Sequence, residues 1–204
     1  MTRLFRPLLI LLALLAALPA QAAVTITFWS HELGNSFPHA FFTLRGVPDA
    51  GGPPVDANYG FTAKSVSPAI LMGSVKGRLD IAKPAYIRGS DAQFSVTLTD
   101  AQYTDVLALV AAWDEKTGDA RYDLGSRNCI HFVKEAARRS GVTVLDFPKL
   151  MKKPRSYLKA VAAANPGQLT VIGQHGSTYL ASLPAIGSAP MAVAAPALSP
   201  APAR

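Results

Sequence analysis

The sequence predicts an α+β domain, and three observations carry that expectation. Segments rich in β-branched and aromatic residues, with apolar and polar positions alternating, gather in the first half of the chain. The clear helical segments come later, behind Thr99 and Asn128. Strands first and helices later is not the regular alternation of a parallel sheet.

The N-terminus reads as a cleavable export signal over residues 1–22. Arg3 and Arg6 supply positive charge, Leu8 to Leu18 is apolar, and Ala20-Gln21-Ala22 has small residues in a cleavage pattern. The apolar run is short for a spanning helix of about 20 residues. Cleavage after Ala22 is expected, and no cysteine at the cut offers a site for lipid attachment. The address is therefore exported, either periplasmic or secreted. Loss of Arg3 and Arg6 takes the formal net charge from +7 to +5. No later segment is long and apolar enough to span a bilayer, so no transmembrane segment is expected in the mature form.

Val24-Thr25-Ile26-Thr27-Phe28-Trp29 reads as the first strand and Ala40 to Arg45, closed by Gly46, as the second. The polar stretch from Ser30 to Pro38 joins them. Val47 to Pro54 is a loop by its Gly and Pro content. Asn58 to Thr62 reads as a short third strand, Val66 to Val75 is ambiguous, and Phe94 to Leu98 alternates strictly. Thr99-Asp100-Ala101-Gln102 is a capping box opening a helix with Tyr103, Val106, Leu107, Val110 and Trp113 on one face, ending near Gly118. Asn128 caps a second helix, with Ile130, Val133, Ala136 and Ala137 at helical spacing and Gly141 closing it. Ser156 to Ala164 predicts a short helix and Leu169 to Ile172 a strand. From Leu183 the chain turns to Ala, Pro and Ser, which cannot build a core. The expected organisation is a signal over 1–22, one domain over 23–182 and a disordered tail over 183–204.

Lys149, Lys152, Lys153, Arg155 and Lys159 form a local basic cluster. It reads as a solvated face with a weak attraction for anionic polymers or lipid headgroups. No basic stripe is interleaved with aromatics, so nucleic acid is not an expected partner. No cofactor and no metal are expected.

Cys129 is the single cysteine, so no disulfide can form within the chain. It falls in the first turn behind Asn128. The partial positive charge and free N–H groups of a helix start favour a thiolate and can hold an oxyanion. A buried structural cysteine is the competing reading. Of the four histidines, His131 lies two residues on and points to another face, which makes it a helix-face histidine bonded to backbone or packed. His39, at the start of a strand, is the better base. His31 and His175 fall in loops.

The run Asn128-Cys129-Ile130-His131-Phe132-Val133 resembles the Asn-Cys-Glu-His-Phe-Val signature of the lecithin:retinol acyltransferase-like proteins. These form a circularly permuted branch of the NlpC-type papain-like superfamily. His39-Ala40-Phe41-Phe42-Thr43-Leu44-Arg45-Gly46 resembles their His-strand-Gly segment. Ile130 replaces the family's Glu, and one extra residue precedes Gly46. The resemblance implies an antiparallel sheet packed on a helix that carries the nucleophile, with the His strand before the Cys helix. It implies Cys129 as nucleophile, His39 as base and a third polar group on the next strand. No second histidine lies there, and Asn58 is the best-placed polar residue. The implied activity is cysteine-dependent hydrolysis of amide bonds in cell-envelope material, such as cell-wall (peptidoglycan) peptides, through a thioester. A lipid acyltransferase or thioesterase, with an acyl-lipid substrate, is the alternative. Ile70, Leu71 and Met72 read as core, or as the wall of an acyl groove in that alternative. The missing second histidine favours a third reading, a non-catalytic envelope binding protein.

Overall fold

Seven strands and five α-helices make up the α+β architecture of the computed structural model, which describes residues 23–32, 38–65 and 67–186. The expected signal over 1–22 and residues 187–204 of the expected tail lie outside the described residues. The strands are β1 (Thr25–His31), β2 (His39–Gly46), β3 (Val55–Ala63), β4 (Val75–Asp80), β5 (Asp91–Thr97), β6 (Arg121–Tyr122) and β7 (Thr170–His175). The helices are α1 (Pro84–Arg88), α2 (Asp100–Trp113), α3 (Cys129–Arg139), α4 (Pro154–Ala164) and α5 (Gly176–Ser182). All pairings are antiparallel, in the order β6-β4-β3-β2-β1-β5-β7.

Alternation along the central strands divides the apolar residues between two faces. Ile26, Phe28, Ala40, Phe42, Leu44 and Phe61 turn one way and are buried against α2, α3 and α4. Phe42 stacks on Phe132 of α3 at 5.4 Å between centroids. Trp29 and Phe41 turn the other way, under Tyr86 and Ile87 of α1 and Tyr179 and Leu180 of α5. Thus the sheet is covered on both faces, more thickly on the α3 side.

The capping box at Thr99 and Gln102 forms as the sequence predicts. Its helix stops at Trp113 rather than near Gly118, because Asp114 turns extended. The buried face is Val106, Leu109 and Trp113, with Tyr103, Leu107 and Val110 at its edges. In α3 every residue of the expected apolar set is buried, and Gly141 follows with φ 92°, a conformation that favours glycine. Ile70 to Met72 is not core: Leu71 is 79% exposed and Met72 89% exposed, beside a single turn of 3₁₀ helix at Pro68–Leu71. Lys76, Arg78 and Asp80 make the outer face of β4 polar, which hides an inward set of Val75, Gly77 and Leu79. No helix among the described residues is long and apolar enough to cross a membrane.

Candidate active site around Cys129

Asn128 fixes where α3 begins. Its Oδ1 accepts from the N–H groups of Ile130 (2.8 Å) and His131 (3.2 Å). Its Nδ2 donates to the carbonyls of Leu124 (2.9 Å) and Met151 (2.8 Å). One buried side chain thereby ties the helix start to two loops. His131 completes a capping box, its Nδ1 accepting from the Asn128 N–H at 3.3 Å. A ring nitrogen here does the work that Glu or Gln does in the common form.

Cys129 follows directly and is 8% exposed. Burial pushes its thiol up to about 11, although the backbone N–H groups of Ala40, Ile130 and Cys129 itself pull toward the thiolate. The expectation of a thiolate stabilised by the helix start is corrected at this point. Removing the sulfur from water outweighs what the amides return, and the resting group is the neutral thiol.

Strand alternation sets Ala40, not His39, against α3. His39 turns with Phe41, ring centroids 6.2 Å apart and planes within 14°. The imidazole lies over Gly60: a Cβ there would meet His39 Nε2 at 2.5 Å. Only glycine leaves this seat. Nε2 is buried without a hydrogen-bond partner among the described residues. Burial holds His39 down at about 4, against the opposing pull of the Asp80 charge. Asp80 is the direct cross-strand partner of Gly60. The missing side chain at Gly60 thus opens a path between the imidazole on β2 and the carboxylate on β4.

The two faces meet at the end of the sheet in a cavity of ≈ 790 Å³. Cys129, His39, Asp80, Tyr86 and Asn128 all line it. The rest is mainly apolar, including Phe61, Ile70, Leu71, Tyr122, Leu124 and Ile130, with Lys152 in the wall. Its size lies within the range of about 300–1,000 Å³ usual for small-molecule sites. Burial raises the phenols of Tyr86 and Tyr122 to about 12 each; the Asp80 carboxylate adds to the first and Asp123 to the second, as does Cys129 to both once it ionises at high pH. Among the described residues no hydrogen bond joins Cys129 to His39.

Asn58 is not brought to His39. Its register partner is Thr43, four residues along β2 from His39, or about 13 Å at strand rise. Its amide is committed to the backbone of Ala82, accepting at 2.6 Å and donating at 3.2 Å. The other histidines have separate engagements. His31 Nδ1 lies 3.0 Å from Ser90 Oγ, with its ring stacked on Tyr86, and His175 Nδ1 lies 3.2 Å from Asp91 Oδ1. Among the described residues no group of three or more His, Cys, Asp or Glu stands together as a metal site.

Asp80, Gly60 and Tyr86 are what the sequence reading misses. The alternation in Val75-Lys76-Gly77-Arg78-Leu79-Asp80 marks β4 as a strand, but nothing local says that its last carboxylate faces a histidine two strands away. Comparison with family models, with curated proteins and with solved structures finds no match to this chain.

Proposed function

We propose that the chain is an exported, cysteine-dependent acyl hydrolase or transferase of permuted papain-like type. Cys129 is its nucleophile and His39 its base. The observation that carries this reading is the convergence of Cys129, His39 and Asp80 on one cavity that is otherwise mainly apolar. In this reading the imidazole reaches the sulfur directly or through one water, a contact that tightens when substrate binds. The resting pair is neutral thiol and neutral imidazole. As sulfur attacks the carbonyl carbon, its proton passes to His39, and the oxyanion is held by backbone N–H groups at the start of α3. The leaving group takes that proton as its bond breaks. Water then opens the thioester with His39 again accepting a proton, releasing acid and restoring the thiol. Asp80 takes the orienting part expected of Asn58.

Two substrate classes fit an exported acyl-transfer enzyme: cell-wall peptides and acyl lipids or thioesters. The lining of Phe61, Ile70, Leu71, Leu124 and Ile130 favours the second, since an acyl chain buries against it and a charged peptide does not. The test is to incubate the protein and its Cys129→Ala variant with long-chain acyl esters and with peptidoglycan fragments, following product and acyl-enzyme mass. An acyl adduct on Cys129 and faster turnover of the esters are expected. Replacing His39 with alanine should slow acylation by about 10²–10⁴-fold. Equal product from Cys129→Ala would remove Cys129 from the mechanism. No turnover of either class by the unaltered protein would leave the binding-protein reading in its place.

A further inference from the structure

Among the described residues the two most exposed large apolar side chains stand at the mouth of the cavity. Leu71 (79% exposed) lines the cavity and Met72 (89% exposed) follows it at the tip of the turn. No residue of the 3₁₀ helix at Pro68–Leu71 is buried. The turn is nonetheless built. The Ile70 N–H donates to the Ser67 carbonyl and the Met72 N–H to the Ala69 carbonyl, and Ser74 Oγ ties its exit to Asp123 Oδ2 at 3.1 Å. An apolar tip standing in water at the rim of a mainly apolar cavity is a candidate contact surface.

The charges nearby point to the occupant. Lys152 lies in the cavity wall, followed by exposed Lys153, and Lys76 and Arg121 are paired across β4 and β6 beside Tyr122. Among the described residues none of these four forms an ion pair. Of the acids of this region, Glu115 holds Lys64 at 2.6 Å and Asp80 holds Arg78 at 3.5 Å, while Asp123 accepts from the Gly125 and Ser126 N–H groups at 2.9 Å and keeps its charge. Arg155, from the same basic cluster, is spent on Asp91 at 2.6 Å and Glu32 at 3.3 Å. What the rim of the cavity offers is an apolar tip and, in the same wall, the unpaired cation Lys152. That pairing suits a bilayer surface with anionic headgroups, where apolar side chains enter the acyl boundary and cations meet phosphates.

We infer that the Leu71–Met72 tip and the adjacent cations, Lys152 foremost, dock the mouth of the Cys129 cavity onto an anionic lipid surface. The importance of the cavity rests on the proposed acyl chemistry; the docking does not. The chain from Ala23 onward, which carries every core residue and strand described above, is mixed with phosphatidylglycerol-rich and with pure phosphatidylcholine vesicles and sedimented. Binding to the first that weakens with salt is expected. Leu71→Ser with Met72→Ser should lower the partition by about tenfold or more, since both side chains leave the acyl boundary. Lys152→Gln should flatten the salt dependence. Cys129→Ala should bind like the unaltered protein, so loss of catalysis and loss of docking are read separately. A Met72→Trp variant should shift its emission to the blue on the anionic vesicles. Both changed residues are solvent-exposed, and an unchanged melt verifies the fold. Equal binding by the double variant, or no binding at low salt, would overturn the inference. So would a dimer that the double variant dissolves without lipid, which would make a second copy the occupant. Retention on cell-wall sacculi but not on vesicles, abolished by the same variant, would also overturn it.

Discussion

Asn128 is expected to be worth more than a helix cap, and the aspartate variant separates the two contributions. Alanine at this position removes the acceptor for the Ile130 and His131 N–H groups, a loss of about 1 kcal/mol for a typical cap. It also strips the carbonyls of Leu124 and Met151 of their donor, at about 1 kcal/mol each. The total is about 3 kcal/mol, or roughly 6–12 °C in melting temperature for a domain of this size. Aspartate is as good a cap as asparagine, and its charge suits a helix start. Yet its second oxygen would face two carbonyl oxygens at the positions where Nδ2 now donates. Asn128→Asp should therefore lose about 2 kcal/mol or more at neutral pH. It should recover part of that in acid, when the carboxyl gains an O–H to donate. Urea unfolding followed by far-ultraviolet circular dichroism measures both variants. An Asn128→Asp protein as stable as the parent at neutral pH would show that the Leu124 and Met151 bonds contribute nothing.

Acid should destabilise the fold through His39. Its folded value of about 4 lies below the ordinary 6.5, so the unfolded chain takes the proton first. Stability is complete above 6.5 and falls as pH drops toward 4, by up to about 3 kcal/mol; His39→Gln should remove that part of the slope in unfolding curves, and an unchanged slope would refute it. Cys129 works from the other side: with its thiol raised from 9 to about 11, stability should fall as pH climbs through that interval, and less so in Cys129→Ala. Gly60→Ala should leave a folded protein but push the imidazole off its seat by about 1 Å, slowing Cys129 acylation by about 100-fold. Wild-type acylation in that variant would show that the seat is irrelevant. Arg127 lies 3.7 Å over the Trp113 ring, and Arg127→Lys, which loses the flat stack, should cost about 1 kcal/mol in the same unfolding assay.

Local rules carry far along this chain. Thr99 and Gln102 specify a helix start because both members of the box lie within four residues, and Asn128 does the same for the helix of Cys129. Strands β1, β2 and β5 announce themselves through dense β-branched and aromatic residues. The shorter or more polar elements do not. β6 has two residues and α1 five, too few for a period to register, and β4 wears charges on its outer face.

For the site, sequence alone singles out Cys129 behind its cap and His39 at a strand start, because both are defined by neighbours along the chain. Tertiary structure decides three further matters. Register sends Asn58 to Ala82 and brings Asp80 opposite Gly60, a pairing between strands that no local pattern encodes. Alternation turns His39 away from the face that Ala40 presents to α3, so His39 and Cys129 line one cavity from opposite faces of the sheet. Burial, which depends on everything packed around a residue, overrides the helix start and keeps the Cys129 thiol protonated. A sequence names the groups able to do chemistry; desolvation and register, both sums over distant residues, set their charge and their partners.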